Sequence, residues 1–367
     1  MIDRHRLAEL ARAALPIVAV AVLALGLAGT LLAAGDTLGF DFKAYDTAID
    51  RLAAGGPLYD MSYTQTGGFG LFYYPPTFAP LLVPWAFIGE PAATWSWIVL
   101  SIVAFVFGVG ILPVSRSVRW WTLLLAGLSF PFVYAVKLGQ VGPVLFLLFA
   151  VGWRGLDSAA GLGGSAALGA AIKIQPGLIL VWALLTRRFR AVILGALVLA
   201  GLVAISTVMA GTGAWSDFLT LLRAVSDPIT TPHNFTPGAI AFQLGLPVGV
   251  AAAIQVVNTI LAVGAIVVAV RGAPDEAGYL VAVIASQLVS PILWDHYAMI
   301  LLMPVAYLLS AGRWWAVVIP LMTAWPLVDI VPPIAYPVAF WVAVLAVLAV
   351  GRAAQDPRTN LGERWAV

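Results

Sequence analysis

Residues 1–35, "MIDRHRLAELARAALPIVAVAVLALGLAGTLLAAG", set three arginines at or before the start of a long apolar run. The run from 13 to 34 covers the ~20 residues a helix needs to cross a bilayer. Its basic start resembles a signal peptide, but the apolar part is too long for one and no clear cleavage site follows. The reading is an uncleaved first membrane helix, with Arg4, Arg6 and Arg12 holding the N-terminus in the cytoplasm.

The rest of the chain repeats the pattern. Apolar residues make up 62% of the 367 and charged residues only 10%, far from the roughly 45–50% and 25% of a soluble domain. Mean hydropathy is +0.99. Further apolar runs cover 76–88, 92–114, 120–137, 141–153, 160–172, 175–186, 191–211, 248–270, 278–290, 297–311, 314–328 and 334–350. The expected fold is an all-α polytopic membrane protein of about 11–13 transmembrane or half-membrane helices. One integral membrane domain would span 1–351, with a short cytoplasmic tail over 352–367.

Proline and glycine interrupt many runs, as in "YYPPTFAPLLVPW" (73–85) and "KIQPGLIL" (173–180). Membranes tolerate such backbone only where it is buried in protein or lines a wet cavity, so a cavity is expected. The clusters Arg116/Arg119, Arg154, Arg187/Arg188/Arg190, Arg271, Arg313 and Arg352/Arg358 all face the cytoplasm if 76–88 is a half-crossing piece and 160–172 and 175–186 form a short up-and-down pair. Treating 76–88 as a full span and 160–186 as one helix also closes the topology, but exports three arginines. The preferred threading collects the remaining polar residues at the exterior end: Lys137 with Gln140, Lys173 with Gln175, His233 with Asn234, Asp295 with His296, and Asp329. Buried ionisable groups are costly without partners or a task, so this convergence marks a site.

The exterior loop over 35–75 holds "LGFDFKAYDTAIDRLAAGGPLYD" (38–60). Its spacing predicts an amphipathic helix from Asp41 to Ala54, with Phe42, Ile49 and Leu52 apolar, lying on the membrane surface and ended by "GGP". Asp41 falls in the first turn with Tyr45 on the same face. On its own residues, Asp41 reads as an N-cap. Asp46 and Asp50 read as a solvated face with Lys43 and Arg51, and Asp60 as a turn residue.

The ordered motifs "FDFKAYDTAIDRLAAGGPLYD", "YYPPTFAPLLVPW", "KLGQVGPVLFLLF", "AAIKIQPGLIL" and "SPILWDHYAMIL", from Asp41 to about Leu309, resemble the membrane-embedded glycosyltransferases of family 87. These have the GT-C fold and take mannose or arabinofuranose from polyprenyl-phosphate sugars. The resemblance implies a catalytic base at Asp41, inversion at the sugar carbon, and a donor phosphate held by Lys173 and His296; Lys137, read from its own position, is a further candidate to add charge in the same cavity. The resemblance further implies substrate contacts from Tyr45, Tyr74 of "YPP", Gln140 of "GQ", Asp295 of "WDHY", and His233 and Asn234. Around Asn234 the wording "PHNFTPGAIAF" departs from the family's usual pattern. The implied partners are a polyprenyl-phosphate sugar, mannose before arabinofuranose, and a glycolipid or glycan acceptor, met on the exterior face of the cell membrane.

The other readings stay open at this point. Lys173 can snorkel to the interface, His296 can be a core histidine paired with Asp295, and Lys137 can mark a helix end. Most of the 14 tryptophans suit an interfacial belt. Broken helices with buried charges also describe a transporter or flippase. A transporter would gather its charges near the midplane and often show two related halves; neither is seen here. With no cysteine, and histidines only at 5, 233 and 296, neither thiol chemistry nor a metal cofactor is indicated.

Overall fold

The computed structural model describes residues 4–63, 70–225, 227–324, 327 and 330–355. Among them every regular element is a helix, beside one isolated bridge between Ser129 and Ala324. Five helices hold apolar stretches long enough to cross a membrane: Ala13–Leu32, Ala92–Ile111, Phe189–Ala210, Val248–Gly272 and Ala335–Gln355. A sixth span exists if Phe130–Leu138 and Gly142–Arg154, which meet at 117°, are counted as one. Pro76–Phe87, Ala159–Ile172, Gln175–Leu185 and Asp295–Ser310 are shorter apolar helices. The chain is an all-α polytopic membrane protein in which many segments are bent or too short to cross.

The outermost helices show why so many apolar side chains can stay exposed. Only 11% of the Phe189–Ala210 window is buried, and Ile193, Leu197 and Val208 point outward, as lipid-facing residues do. Inside, Asp275–Leu288 is the axis of the bundle, with every side chain from Tyr279 to Ala285 fully covered. It packs against Gln175–Leu185, Val248–Gly272 and Ala335–Gln355, and one connected core runs from Ala19 to Leu348. The first helix, Arg4–Leu32, lies on Arg116–Leu128. A Cβ at Gly127 would stand 2.6 Å from the Leu23 backbone, the close approach that small residues permit between membrane helices.

Three expectations need correction. The apolar run 120–137 is two helices, Arg116–Leu128 and Phe130–Leu138. Pro131 starts the second, and the Phe130 amide donates to the Thr323 carbonyl at 3.0 Å instead of continuing the first. The described part of the run 314–328 is not one helix; it forms the turn Trp314–Val317 and the four-residue helix Val318–Leu321. An amphipathic helix, Gly213–Val225, stands where no element was expected. Asp329 and Arg358 lie outside the described residues, as do the side chains of Arg4, Arg6 and Arg12.

Candidate functional site

The expected amphipathic helix forms over Phe40–Ala53. Its N-cap is Gly39 in the left-handed region (φ 67°) with no side-chain cap, so Asp41 is not the cap. Gly39 instead donates its amide to the Lys137 carbonyl at 2.8 Å. Phe42, Tyr45 and Ile49 share one stripe and are buried; Phe42 stacks on Trp97 at 5.3 Å. This helix packs into the core along that stripe. Arg51 closes the following turn by donating to the carbonyls of Pro57 (2.7 Å) and Leu58 (2.6 Å).

The second half of the loop divides the acids. Asp60 accepts from the Ser62 amide (2.9 Å) and hydroxyl (2.7 Å), which hold its carboxyl below the usual range and make it the expected turn residue. Asp46 departs from expectation: it is buried, not solvated, and its Oδ1 has no partner. Burial pushes its carboxyl up to about 6, with Asp50 and Glu90 adding to the rise.

Asp41 is held by the "GQ" turn that bends the pair Phe130–Leu138 and Gly142–Arg154. Gln140 Nε2 donates to Asp41 Oδ2 at 2.5 Å. Gln140 Oε1 accepts from the Val141 amide at 2.8 Å and from the Tyr74 hydroxyl at 3.0 Å, with the Tyr45 hydroxyl at 3.3 Å. The two hydroxyls lie 2.8 Å apart. Gly139 makes this approach possible. It sits at φ 65°, and a Cβ there would stand 2.6 Å from the Phe42 Cβ. Gly139→Ala is therefore expected to push the Phe40–Ala53 helix off the turn, at a cost of roughly 2–4 kcal/mol. A lowered thermal midpoint in detergent, together with faster proteolysis between 54 and 70, would report it.

Opposite Asp41 stands the turn Asp295–Leu301. His296 is buried; its Nδ1 lies 3.2 Å from Asp295 Oδ1, and its Nε2 has no partner. Lys173 occupies the break between Ala159–Ile172 and Gln175–Leu185. Its ammonium donates to the Tyr297 hydroxyl at 2.7 Å and lies 5.5 Å from the Tyr74 ring. The Thr77 hydroxyl bonds the Ala171 carbonyl at 2.8 Å, which brings the "YPP" turn beside that break. Burial raises the Asp41 carboxyl above its ordinary range, and the His296 and Lys173 charges and the Gln140 hydrogen bond pull it back. Burial also lowers the Lys173 ammonium to about 7, against the pull of Asp41.

Two cavities meet here. One, of about 530 Å³, is lined by Asp41, Tyr45, Gln140, His233, Asp295 and His296 among others. The second, of about 600 Å³, is lined by Lys173 and Tyr297 and is otherwise largely apolar, with Ile174 and Val181 exposed at its edge. Tyr73 and Tyr74 belong to both walls. Lys137 lines neither cavity; it lies 5.2 Å from the ring of Tyr134, which does line the first. Tyr134, three residues before Lys137 on one helical face, escaped the sequence reading although its spacing carried the signal. The missed helix Gly213–Val225 covers the loop from outside, Phe218 meeting Tyr59 at 5.9 Å. Among the described residues, no three His, Cys, Asp or Glu side chains are grouped to hold a metal ion.

Asn234 stands apart from both cavities. Fully buried, it donates to the carbonyls of Pro228 (2.6 Å) and Pro291 (3.0 Å) and accepts from the amides of Thr236 (3.0 Å) and Leu293 (2.9 Å). Those bonds hold neighbouring His233, at φ 57°, beside the first cavity. Asn234→Ala is expected to leave four buried or partly buried backbone groups without their partner and cost roughly 2–5 kcal/mol, read as a lowered thermal midpoint.

The model of glycosyltransferase family 87 matches residues 72–291, more than half of the chain. The protein belongs to this family. No curated protein and no solved structure matches the chain. The matched segment holds the candidates Tyr74, Lys137, Gln140, Lys173, His233 and Asn234, whereas Asp41, Tyr45, Asp295 and His296 lie outside it. Folding brings the two groups to one place. A sugar donor and an acceptor must therefore meet in this membrane protein, and the paired cavities are the candidate meeting point.

Proposed function

We propose that the protein is an inverting glycosyltransferase that moves mannose from a polyprenyl phosphate to a hydroxyl of a glycolipid or glycan, on the exterior face of the membrane. One observation carries the reading: a carboxylate in a polar cavity and an ammonium in an apolar one, separated by a wall of two tyrosines. The apolar cavity, open at Ile174 and Val181, suits a lipid chain, and its polar end at Lys173 suits the phosphate. The aromatic and polar cavity beside it suits a sugar and an incoming alcohol.

The step needs one base. The acceptor hydroxyl gives its proton to the Asp41 carboxylate while its oxygen bonds to the anomeric carbon from the face opposite the phosphate. The bond from that carbon to the phosphate oxygen breaks, and its electron pair stays on the phosphate. A β-linked donor then gives an α-linked product, with no second carboxylate needed, unlike the glycosidases. Negative charge grows on the expelled phosphate, where the Lys173 ammonium stabilises the transition state more than the ground state; a protonated His296, with hydrogens on both ring nitrogens, adds positive charge from the wall of the neighbouring cavity.

The test is transfer by the purified protein in proteoliposomes, with total membrane lipid as acceptor and products identified by mass spectrometry. Polyprenyl-phosphate mannose is expected to yield a glycolipid heavier by one hexose. Transfer from polyprenyl-phosphate arabinofuranose alone would correct the sugar. Transfer from a nucleotide sugar alone would overturn the donor class.

A further inference from the structure

We propose that Gln140 is a positioning residue for the base: it orients Asp41 and favours its ionised form, and it does not contact the sugar. This rests on the reading of Asp41 as the base. The orientation of the Gln140 amide follows from its neighbours. The Val141 amide, which can only donate, points at Oε1 beside the hydroxyls of Tyr74 and Tyr45, so Nε2 is the atom that faces the Asp41 carboxylate. Two hydroxyl hydrogens serve three contacts. The shorter distances select Tyr45 donating to Tyr74 (2.8 Å) and Tyr74 donating to Gln140 (3.0 Å). The chain of donors then ends on Asp41 Oδ2, each bond polarising the next.

The supports of this chain are themselves rigid. Tyr59 donates to the Tyr74 carbonyl at 2.7 Å, and Trp97 donates to the Gly139 carbonyl at 2.7 Å. Gln140 is only 4% exposed, and its bonds leave one hydrogen on Nε2 and little capacity for a ligand. Asp41, by contrast, lines the cavity, and Gln140 engages only its Oδ2. Fixing Oδ2 presents Oδ1 to the alcohol. A donor to the carboxylate also offsets the burial that works against the charged form. The other groups that face Asp41 are His296, Asp295 and Tyr297 from their turn, Lys173 from its break, Lys137 and Tyr134 from the helix before the turn at Gly139, and Tyr45, Tyr73 and Tyr74.

The experiment measures Asp41 directly. A hydrophobic carbodiimide modifies protonated carboxyl groups, so the pH midpoint of its labelling at Asp41, read by peptide mass spectrometry, reports the proton affinity without any substrate. Gln140→Met in the full-length protein is expected to raise that midpoint by about one pH unit. With polyprenyl-phosphate mannose as donor, kcat should fall ~30-fold while KM stays within about twofold. Tyr74→Phe removes one hydroxyl from a packed aromatic cluster and should move the midpoint the same way by less, which keeps the test open if Gln140→Met does not fold. An unmoved midpoint in a folded variant overturns the inference, as does a raised KM with kcat unchanged. An unmoved midpoint beside an inactive Asp41→Asn overturns this inference alone; an active Asp41→Asn overturns the assignment of the base as well.

Discussion

Asp41→Asn is expected to reduce kcat by about 10²- to 10⁴-fold, the range that a positioned general base contributes. The carboxamide keeps the size of the side chain and can still meet Gln140, so the loss would not come from collapse of the Phe40–Ala53 helix. It removes the proton acceptor at the cavity and, with it, the negative charge that supports the Lys173 ammonium. The half-buried setting strengthens the prediction, since a desolvated carboxylate with raised proton affinity is a stronger base than a surface aspartate. Donor binding should change little. Steady-state transfer from polyprenyl-phosphate mannose, with donor KM measured alongside, tests this; turnover within tenfold of the wild type would remove Asp41 from the chemistry.

Lys173→Met should lower kcat/KM by about 10²- to 10³-fold, comparable to removing one fixed donor at a site of developing charge. Methionine keeps an unbranched chain of similar length, so packing against Tyr74 and Tyr297 is largely retained while the charge is lost. Lys137→Met, in a side chain lining neither cavity, is expected to cost less than tenfold.

The pH dependence follows from the same residue. An ammonium lowered to about 7 is charged below that pH and is lost as pH rises through it. Asp41, raised by burial, is a base above its own proton affinity and is lost as pH falls. The product is a bell-shaped profile of kcat/KM, its alkaline limb near 7. A bound phosphate supports the ammonium, so the limb should move upward in kcat. Lys173→Arg, whose guanidinium does not lose its proton, should remove the limb. A profile flat through 7 to 9 in the wild type would refute the role.

Much of this was legible in the chain, for reasons that differ by element. The Phe40–Ala53 helix could be read because its spacing is local: Phe42, Ile49 and Leu52 fall at helical intervals, and "GGP" ends it. The breaks at Lys173 and within "YYPPTF" could be read because proline removes a donor wherever it stands. The break at Ser129 was passed over although Pro131 marks it; what no local pattern carries is the carbonyl that receives the Phe130 amide, from Thr323 nearly two hundred residues away. Asp46 was misread for the same reason. Charge predicts solvent only until a neighbouring segment covers the residue, and nothing local says that it will. Helix Gly213–Val225 was missed although Phe218, Leu221 and Leu222 carried the period, because a short amphipathic stretch between long apolar runs resembles a loop.

Composition and periodicity by themselves determined that this chain lives in a membrane as helices, that its backbone breaks at particular prolines, and that its polar residues are too few to be scattered without purpose. Those properties belong to single segments, whose free energy in lipid is set by their own side chains and backbone. Only the tertiary structure decided that Asp41 is held by Gln140 and not used as a cap, that Lys173 opens onto a different cavity from Asp41, and that Asn234 fastens a loop outside both. Each of those outcomes depends on which distant segment arrives next to the residue. A hydrogen bond between positions 41 and 140 exists only when the whole bundle has brought them within reach.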